Sequence, residues 1–147
     1  MSNIVIQNKK ARFDYTILDT YTAGISLMGT EIKAIREGKA SLVDSFCYFN
    51  GRNLCLKNSY VAQYENGFMK HEERRDRVLL LTKHELRRLR QAVKVQGVTI
   101  VPLSMFINDK GLCKVEIGVA KGKKNYDKRE ALKEKDFRRE KNSGLFQ

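Results

Sequence analysis

The sequence predicts a mainly β protein in which a small antiparallel sheet closes into a barrel, with two or three helices packed against it. Short runs of alternating apolar and polar residues indicate half-buried strands, and turn signals such as Asn50-Gly51 join them into hairpins. A small, strongly curved antiparallel sheet usually closes, because closure removes its edges. With 147 residues, of which 41% are hydrophobic, the chain has one-domain length and can form a modest core.

The first strand is predicted where Phe13, Tyr15 and Ile17 alternate with Asp14 and Thr16. Two interpretations stay open for the aromatic residues Phe13 and Tyr15. Aromatic residues on a strand can pack in the core, or they can form a surface on which RNA bases stack.

A short helix is predicted after this strand. Thr30 has the residue type of an N-cap, and Glu31 follows it in the first turn, where a negative charge is favoured. Ile32 and Ile35 would then face the core. Gly38 would end the helix in the left-handed conformation.

The middle of the chain has the pattern of a hairpin followed by a loop. Asn50-Gly51 lies between two apolar runs and is the strongest hairpin signal in the chain. Residues 63–77 are polar and end in a charge cluster, which predicts a long, mobile surface loop. His71 in this loop and His84 beyond it are expected to be exposed.

A second helix and two strands complete the predicted barrel. Thr82 and Glu85 form a capping box, and Gly97 ends the helix. Pro102 cannot donate to a sheet ladder, so it predicts an edge strand or a bulge. Residues 113–119 show the clearest strand alternation. The helix is expected to bury Leu86, Leu89 and Val93 and to present Arg87, Arg88, Arg90 and Lys94 to solvent.

Residues 121–147 differ in composition from the rest, which divides the chain into a barrel domain, residues 1–120, and a basic C-terminal tail. The tail holds ten Lys/Arg and five Asp/Glu, so it contributes +5 (10 − 5) to the formal net charge of +12. Its few apolar residues form no stripe that could dock on the barrel. We therefore predict a tail that is disordered when free and helical when bound.

Composition and motifs argue against catalysis, metal binding and membrane insertion. Neither histidine has a Ser or Cys nucleophile near it in sequence, and no Cys/His spacing resembles a zinc site. Cys47, Cys55 and Cys113 are interpreted as small core residues in a reducing compartment. No apolar run approaches the ~20 residues of a membrane span, and no signal peptide is recognisable. We predict a cytoplasmic protein without catalytic residues, metal or cofactor.

Basic residues indicate a nucleic-acid partner instead. The net charge of +12 and the isoelectric point of about 9.8 favour an anionic partner. Tyr126 lies in a lysine-rich run and could stack on a base while the lysines hold phosphates. Three basic clusters lie at the ends of predicted elements: Lys9, Lys10 and Arg12; Lys33, Arg36 and Lys39; and Lys121, Lys123 and Lys124.

Three segments closely resemble the bacterial SmpB family, whose members bind tmRNA, the RNA also called SsrA. The segments are residues 8–15 (NKKARFDY), 29–40 (GTEIKAIREGKA) and 119–130 (VAKGKKNYDKRE). Their order and spacing match the family, and the resemblance extends over residues 7–140. Many family members have His where Phe13 stands here.

The resemblance implies an OB-type β-barrel that performs no chemistry. Such a protein binds the tRNA-like domain of tmRNA and delivers it to stalled 70S ribosomes in trans-translation, and we expect it to be a monomer. The tail would occupy the decoding centre and the empty mRNA channel, which leads to tagging of the nascent peptide and ribosome rescue. The family's tmRNA face corresponds to Asn8, Lys9, Arg12, Tyr15, Glu31, Lys33, Arg36 and Lys39, and its ribosome-binding tail to Lys121, Lys123, Lys124, Tyr126, Asp127, Lys128 and Arg129.

Two other functions would also suit a small basic protein. A general nucleic-acid-binding barrel would show little preference among RNAs and would use the tail as a loose polycationic arm. A small nuclease is disfavoured because no convergent set of His, Asp and Glu is recognisable. The role of Glu31 also has two interpretations: it accepts hydrogen bonds from RNA, or it only favours the helix N-terminus.

Overall fold

In the computed structural model, which describes residues 5–63 and 71–123, seven of nine strands form one antiparallel sheet. The other two strands, β3 and β6, pair with each other. The strands are β1 Val5–Gln7, β2 Tyr15–Ile25, β3 Ala40–Ser41, β4 Phe46–Asn50, β5 Asn53–Lys57, β6 Tyr60–Val61, β7 Arg77–Leu80, β8 Val98–Ile107 and β9 Cys113–Gly122. The helices are α1 Lys9–Asp14, α2 Gly29–Arg36 and α3 Lys83–Ala92.

The main sheet closes into a ring. Its strand order is β1-β8-β4-β5-β7-β2-β9, and a further pairing of β8 with β9 joins the two sides. Six strands therefore form the barrel wall, and β1 is added outside β8. The prediction of a mainly β fold with a closed antiparallel barrel and packed helices is confirmed. The tail beyond Lys123 lies outside the described residues.

The barrel interior is filled by alternate strand residues and sealed by helix residues. Leu54, Ile100, Met105 and Ile117 are almost completely shielded from solvent, and Leu89 of α3 joins the same cluster. Cys47, Cys55 and Cys113 are buried as free thiols, as predicted. Burial raises the pKa of Cys113 to about 12, so this thiol stays protonated near neutral pH.

A second, smaller cluster lies outside the barrel wall beneath α1. Ala11 of the helix packs on Val101 and Leu103 of β8 and on Ala120 of β9. The wall is therefore apolar on both faces here, which explains the nearly continuous apolar run of β8.

The strand predicted across Phe13, Tyr15 and Ile17 is only partly correct. Residues 9–14 form α1, and the strand begins at Tyr15. Asn8 starts the helix by accepting a hydrogen bond from the Ala11 N–H with its side-chain oxygen. The packing of Ala11 outside the barrel then overrides the short alternating pattern.

Pro102 lies at a bulge and not at an edge. The register of β8 against β9 shifts between Pro102 and Ser104, and β8 has neighbours on both sides in the sheet. The bulge accommodates the missing N–H, and the carbonyl oxygen of Pro102 accepts a hydrogen bond from the Asn8 side chain.

Local turn signals were good predictors of element ends. Gly38 and Gly97 have positive φ angles of 77° and 86°, and β4 and β5 pair around Gly51. The Thr82 hydroxyl accepts from the Glu85 N–H, and the Glu85 carboxylate accepts from the Thr82 N–H, so the predicted capping box is confirmed.

Two predictions, one about the start of α2 and one about the segment before β7, need correction. The helix α2 is capped by Met28, not Thr30, because the helix starts two residues earlier than expected. The expectation that His71 is exposed is wrong, because His71 and Arg77 are buried at the two ends of a segment in which Glu72, Arg74 and Asp76 are exposed. His71 donates to the Val61 carbonyl and contacts the Thr30 hydroxyl at 2.9 Å, which ties this segment to α2.

Candidate nucleic-acid interface

One exposed surface combines cations with an aromatic ring. We call Lys9, Arg12, Phe13 and Lys123 the α1 surface. Phe13 is 63% exposed on α1, and the Lys123 ammonium lies 6.0 Å from its ring centroid. An aromatic face beside cations can stack a base while the cations neutralise phosphates. The exposure of Phe13 thus favours the stacking interpretation over the core interpretation.

Backbone pairing brings the end of β9 to α1. Tyr15 pairs with Gly122 in the sheet, and the Lys123 N–H donates to the Asp14 carbonyl at 3.0 Å. The end of β9 and Lys123 therefore lie directly beside α1. Lys121, assigned to the tail from the sequence, is still part of β9 and pairs with both Thr16 and Val98.

Arg12 is partly held by the barrel wall. Its guanidinium lies 3.7 Å from the Glu116 carboxylate, and its side chain remains 52% exposed. A surface ion pair of this length is weak. The guanidinium can therefore exchange this partner for a phosphate.

Tyr15 is half-buried and lines a cleft of about 800 Å³ between α1 and the turn that follows α3. Lys10 and Asp14 of α1 lie on one side of this cleft and are paired at 2.9 Å. Gly97 lies on the opposite side. The Tyr15 side chain is thus partly packed beneath α1, and only part of it is exposed in the cleft.

A second group of predicted residues lies on and after α2, at the other end of β2. Lys33, Arg36 and Lys39 are exposed, and Lys39 lies 3.4 Å from the Glu37 carboxylate. Arg36 lies near Gly111, at the end of β9 opposite to Lys123. Lys39, in contrast, lies three residues before Leu42, whose carbonyl oxygen accepts a hydrogen bond from Asn8 at the start of α1. The structure therefore places Arg36 away from the α1 surface.

Glu31 is not on the exposed side of α2, and the expectation that it contacts RNA directly is wrong. Its side chain is fully buried. It accepts from the Met28 N–H at 2.8 Å, which is the helix N-terminal role given as the alternative.

Two arginines from the following segment hold the Glu31 carboxylate. Arg75 donates to it with Nε at 2.8 Å and Nη2 at 2.7 Å, and Arg77 donates with Nη2 at 2.8 Å. Burial alone would raise the pKa of Glu31, but hydrogen bonds from Arg75 and Met28 and the charge of Arg77 lower it below its ordinary value. The carboxylate is therefore ionised, and it clamps α2 to the barrel.

The sequence pattern does not identify Arg75 and Arg77 as partners of Glu31. They are 44 and 46 residues away in the chain. The only signal was their position among charged residues before an apolar run, and that pattern also describes a solvated loop.

Asn8 has a structural position as well. Its side chain is buried and donates to the carbonyl oxygens of Leu42 at 3.1 Å and Pro102 at 2.8 Å. With its oxygen capping α1, the amide group has no hydrogen-bonding capacity directed at solvent. Asn8 positions the α1 surface and does not itself present a group to RNA.

Lys124, Tyr126, Asp127, Lys128 and Arg129 lie outside the described residues, so their predicted role stays a prediction. Across residues 5–63 and 71–123, no group of three or more His, Cys, Asp or Glu could hold a metal ion. Within the same part of the chain, no helix is long and apolar enough to cross a membrane.

Comparisons with known proteins agree with the basic barrel. The family described as "SmpB protein" matches residues 5–146. The SsrA-binding protein of Parabacteroides distasonis is 58% identical over 140 residues, which are 95% of this chain and 92% of the relative. That of Phocaeicola vulgatus is 60% identical over 138 residues, which are 93% and 92%.

A solved structure points the same way. The structure described as "tmRNA-SmpB: a journey to the center of the bacterial ribosome" contains a chain that is 48% identical to this one, with a TM-score of 0.73. The alignment covers 88% of this chain and 95% of that chain. Sequence and fold together lead to one conclusion: this chain belongs to the SmpB family.

Proposed function

We propose that this protein binds the tRNA-like domain of tmRNA and delivers it to stalled ribosomes, supporting trans-translation, nascent-peptide tagging and ribosome rescue. The observation that carries the proposal is the α1 surface, where exposed Phe13 lies beside Lys123 and Arg12 in a member of the SmpB family. Such a surface suits an RNA that offers both phosphates and unstacked bases.

The tmRNA-binding residues fall into two classes. Lys9, Arg12 and Tyr15 around α1, and Lys33, Arg36 and Lys39 on and after α2, provide the contacts in this proposal. Asn8 and Glu31 act indirectly, because they hold α1 and α2, which carry the contact residues, on the barrel. Basic residues on both α1 and α2 suit a folded RNA that contacts more than one element of the protein.

The tail is proposed as a separate ribosome-binding element. In this proposal, residues 121–147 enter the decoding centre and the empty mRNA channel, with Tyr126 stacking on ribosomal RNA. Lys121, Lys123, Lys124, Asp127, Lys128 and Arg129 form the start of this element. Its excess of five positive charges supports an RNA-lined destination.

We further propose that the protein performs no chemistry, needs no cofactor and works as a monomer in the cytoplasm, where ribosomes operate. The described residues support this view, since the buried His71 is used to hold α2. The buried thiols Cys47 and Cys113 have raised pKa values, because burial disfavours the thiolate that a nucleophile requires.

A truncation tests tmRNA binding by the barrel and ribosome binding by the tail separately. The chain should end after Lys123, because β9 runs to Gly122 and the Lys123 N–H is bonded to Asp14. The truncated protein is expected to retain tmRNA binding at near-physiological salt and to lose tagging on ribosomes stalled on a truncated messenger. Equal loss of both activities would contradict the separate role of the tail.

A point substitution in the full chain serves as a finer control. Tyr126→Ala is expected to slow tagging on stalled ribosomes and to leave tmRNA affinity unchanged. Tyr126→Phe keeps a ring that stacks on bases and should tag at the wild-type rate. Equal slowing by both variants would show that the hydroxyl group, not stacking, is required.

A further inference from the structure

The helix α3 presents a dense cationic surface that the proposed function does not yet use. Residues 83–94 contain five Lys/Arg and one carboxylate, Glu85. We call Lys83, Arg87, Arg88 and Lys94 the α3 surface. All four are exposed, while Leu89 on the opposite side of the helix is completely buried in the barrel core.

Within the described part of the chain, these positive charges are not neutralised by carboxylates. Glu85 is occupied, because its side chain accepts from the Thr82 N–H at the helix N-terminus. Among residues 5–63 and 71–123, no carboxylate forms an ion pair with a cation of the α3 surface, whereas Lys10, Arg12 and Lys39 each have one. Closely spaced like charges repel one another, and an external polyanion would remove that repulsion.

A fifth cation fixes the orientation of the helix. The Arg90 guanidinium lies 4.1 Å from the ring centroid of Phe49 and donates to the Gly51 carbonyl at 2.7 Å. These contacts hold the side of α3 against the tip of the β4–β5 hairpin. The α3 surface is thus presented on a packed helix, and little ordering is needed when a partner binds.

The turn after α3 lies at the same end of the barrel as Lys123, the last described residue. The turn after α3 leads into Val98, which pairs with Lys121, and a Cβ at Gly97 would lie 3.9 Å from the Lys121 side chain. In contrast, Arg36 of α2 lies near Gly111, at the opposite end of β9. The C-terminal end of β9 therefore lies closer to the turn after α3 than to Arg36 of α2.

We propose that the α3 surface binds the phosphate backbone of ribosomal RNA while the tail engages the ribosome. This inference rests on the proposed function. The contact is separate from the tmRNA-binding residues of α1 and α2. In addition to the tail, the protein would then have a second ribosome contact on the rigid barrel. This contact would fix the orientation of the barrel on the ribosome.

The test uses the full-length variant Arg87→Ala/Arg88→Ala. Alanine has the highest helix propensity, so α3 is expected to stay folded. Affinity for ribosomes without messenger should fall several-fold, and the slope of log affinity against log salt should decrease in size by about 2, one for each lost phosphate contact. Affinity for tmRNA should not change.

Two further variants act as controls. Lys57→Ala/Lys110→Ala removes the same charge from exposed positions outside α3 and should leave ribosome affinity and its salt dependence close to wild type. Arg87→Lys/Arg88→Lys keeps the charges and should retain most of the ribosome affinity that the alanine variant loses. A phosphate contact depends more on the positive charge than on the paired N–H donors of a guanidinium.

Three results would overturn the inference. They are an unchanged ribosome affinity, an equal loss for tmRNA, and an affinity loss without a change in salt slope, which would indicate a protein partner. Failure of the proposed function looks different, because the wild-type protein would then show no preference for tmRNA over an unrelated RNA.

Discussion

Arg77 donates from Nη2 to Oε2 of Glu31 at 2.8 Å, and both side chains are completely shielded from solvent. Arg77 also donates to the Ser59 carbonyl at 3.1 Å, so its guanidinium group links α2 to the segment after β5. Arg75 binds the same carboxylate from the half-exposed side. The buried Glu31 carboxylate therefore fixes the position of α2 and of its basic residues.

Replacing Glu31 by Gln should strongly destabilise the fold. The change leaves the buried Arg77 guanidinium without its counter-ion, and removing one member of a buried pair costs about 3–5 kcal/mol. Urea denaturation measures this loss in the free energy of unfolding. Glu37→Gln is the control, because its pair with Lys39 is exposed and should contribute about 0–1 kcal/mol. Similar losses in both variants would contradict the clamp.

The same carboxylate should make stability depend on pH. The folded-state pKa of Glu31 lies below its ordinary value, because hydrogen bonds from Arg75, Met28 and Arg77 and the charge of Arg77 outweigh the effect of burial. Its contribution is therefore fully present above the ordinary pKa of about 4.3 and is lost as pH falls through the lower, folded-state pKa.

Urea denaturation at a series of pH values from neutral to strongly acidic checks this prediction. The stability difference between wild type and Glu31→Gln should be largest near neutral pH and should shrink in acid, since Gln does not titrate. A difference that stays constant through the acid range would show that the ionised carboxylate is not what stabilises α2.

Asn8→Ala should loosen α1. The change removes the helix cap and leaves the Leu42 and Pro102 carbonyls without this donor, a loss of about 1–3 kcal/mol. Amide hydrogen exchange of α1 should accelerate more than that of β9. Asn8→Asp keeps the cap oxygen but points a carboxylate at two carbonyls, so it should not restore slow exchange. Full protection in Asn8→Asp would mean that the cap alone holds α1.

Phe13→Ala should weaken tmRNA binding without a comparable loss of stability, because the ring is 63% exposed. Loss of one base-stacking contact costs about 1–3 kcal/mol. Fluorescence anisotropy with labelled tmRNA measures the change, and Phe13→Tyr should bind like wild type. Leu18→Ala removes a similarly exposed apolar side chain from β2 and is the matched control. Equal effects of the Phe13→Ala and Leu18→Ala changes would argue against stacking.

The sequence predicted those features that depend on neighbouring residues. The Thr82–Glu85 capping box, the glycine at 38 and the hairpin at Gly51 each need only a few adjacent residues, and all are present in the structure. The bulge at Pro102 follows from one missing N–H. These signals sufficed for a closed antiparallel barrel.

Features that depend on distant residues were missed. The helix α1 is too short for periodicity to show, and it exists because Asn8 caps it and Ala11 packs outside the barrel. The burial of Glu31 requires two arginines more than 40 residues away in the chain. For the same reason Asn8 and Glu31, which match family motifs, were expected on the RNA surface but lie beneath it.

A titration of the full-length protein against tmRNA and against a length-matched unrelated RNA tests the central claim most directly. It should be run at near-physiological salt, because basic proteins bind any RNA at low salt. The account predicts a clear preference for tmRNA that declines when Arg12 and Phe13 are replaced by Ala. Equal affinity for the two RNAs would contradict it and would indicate a general RNA-binding barrel.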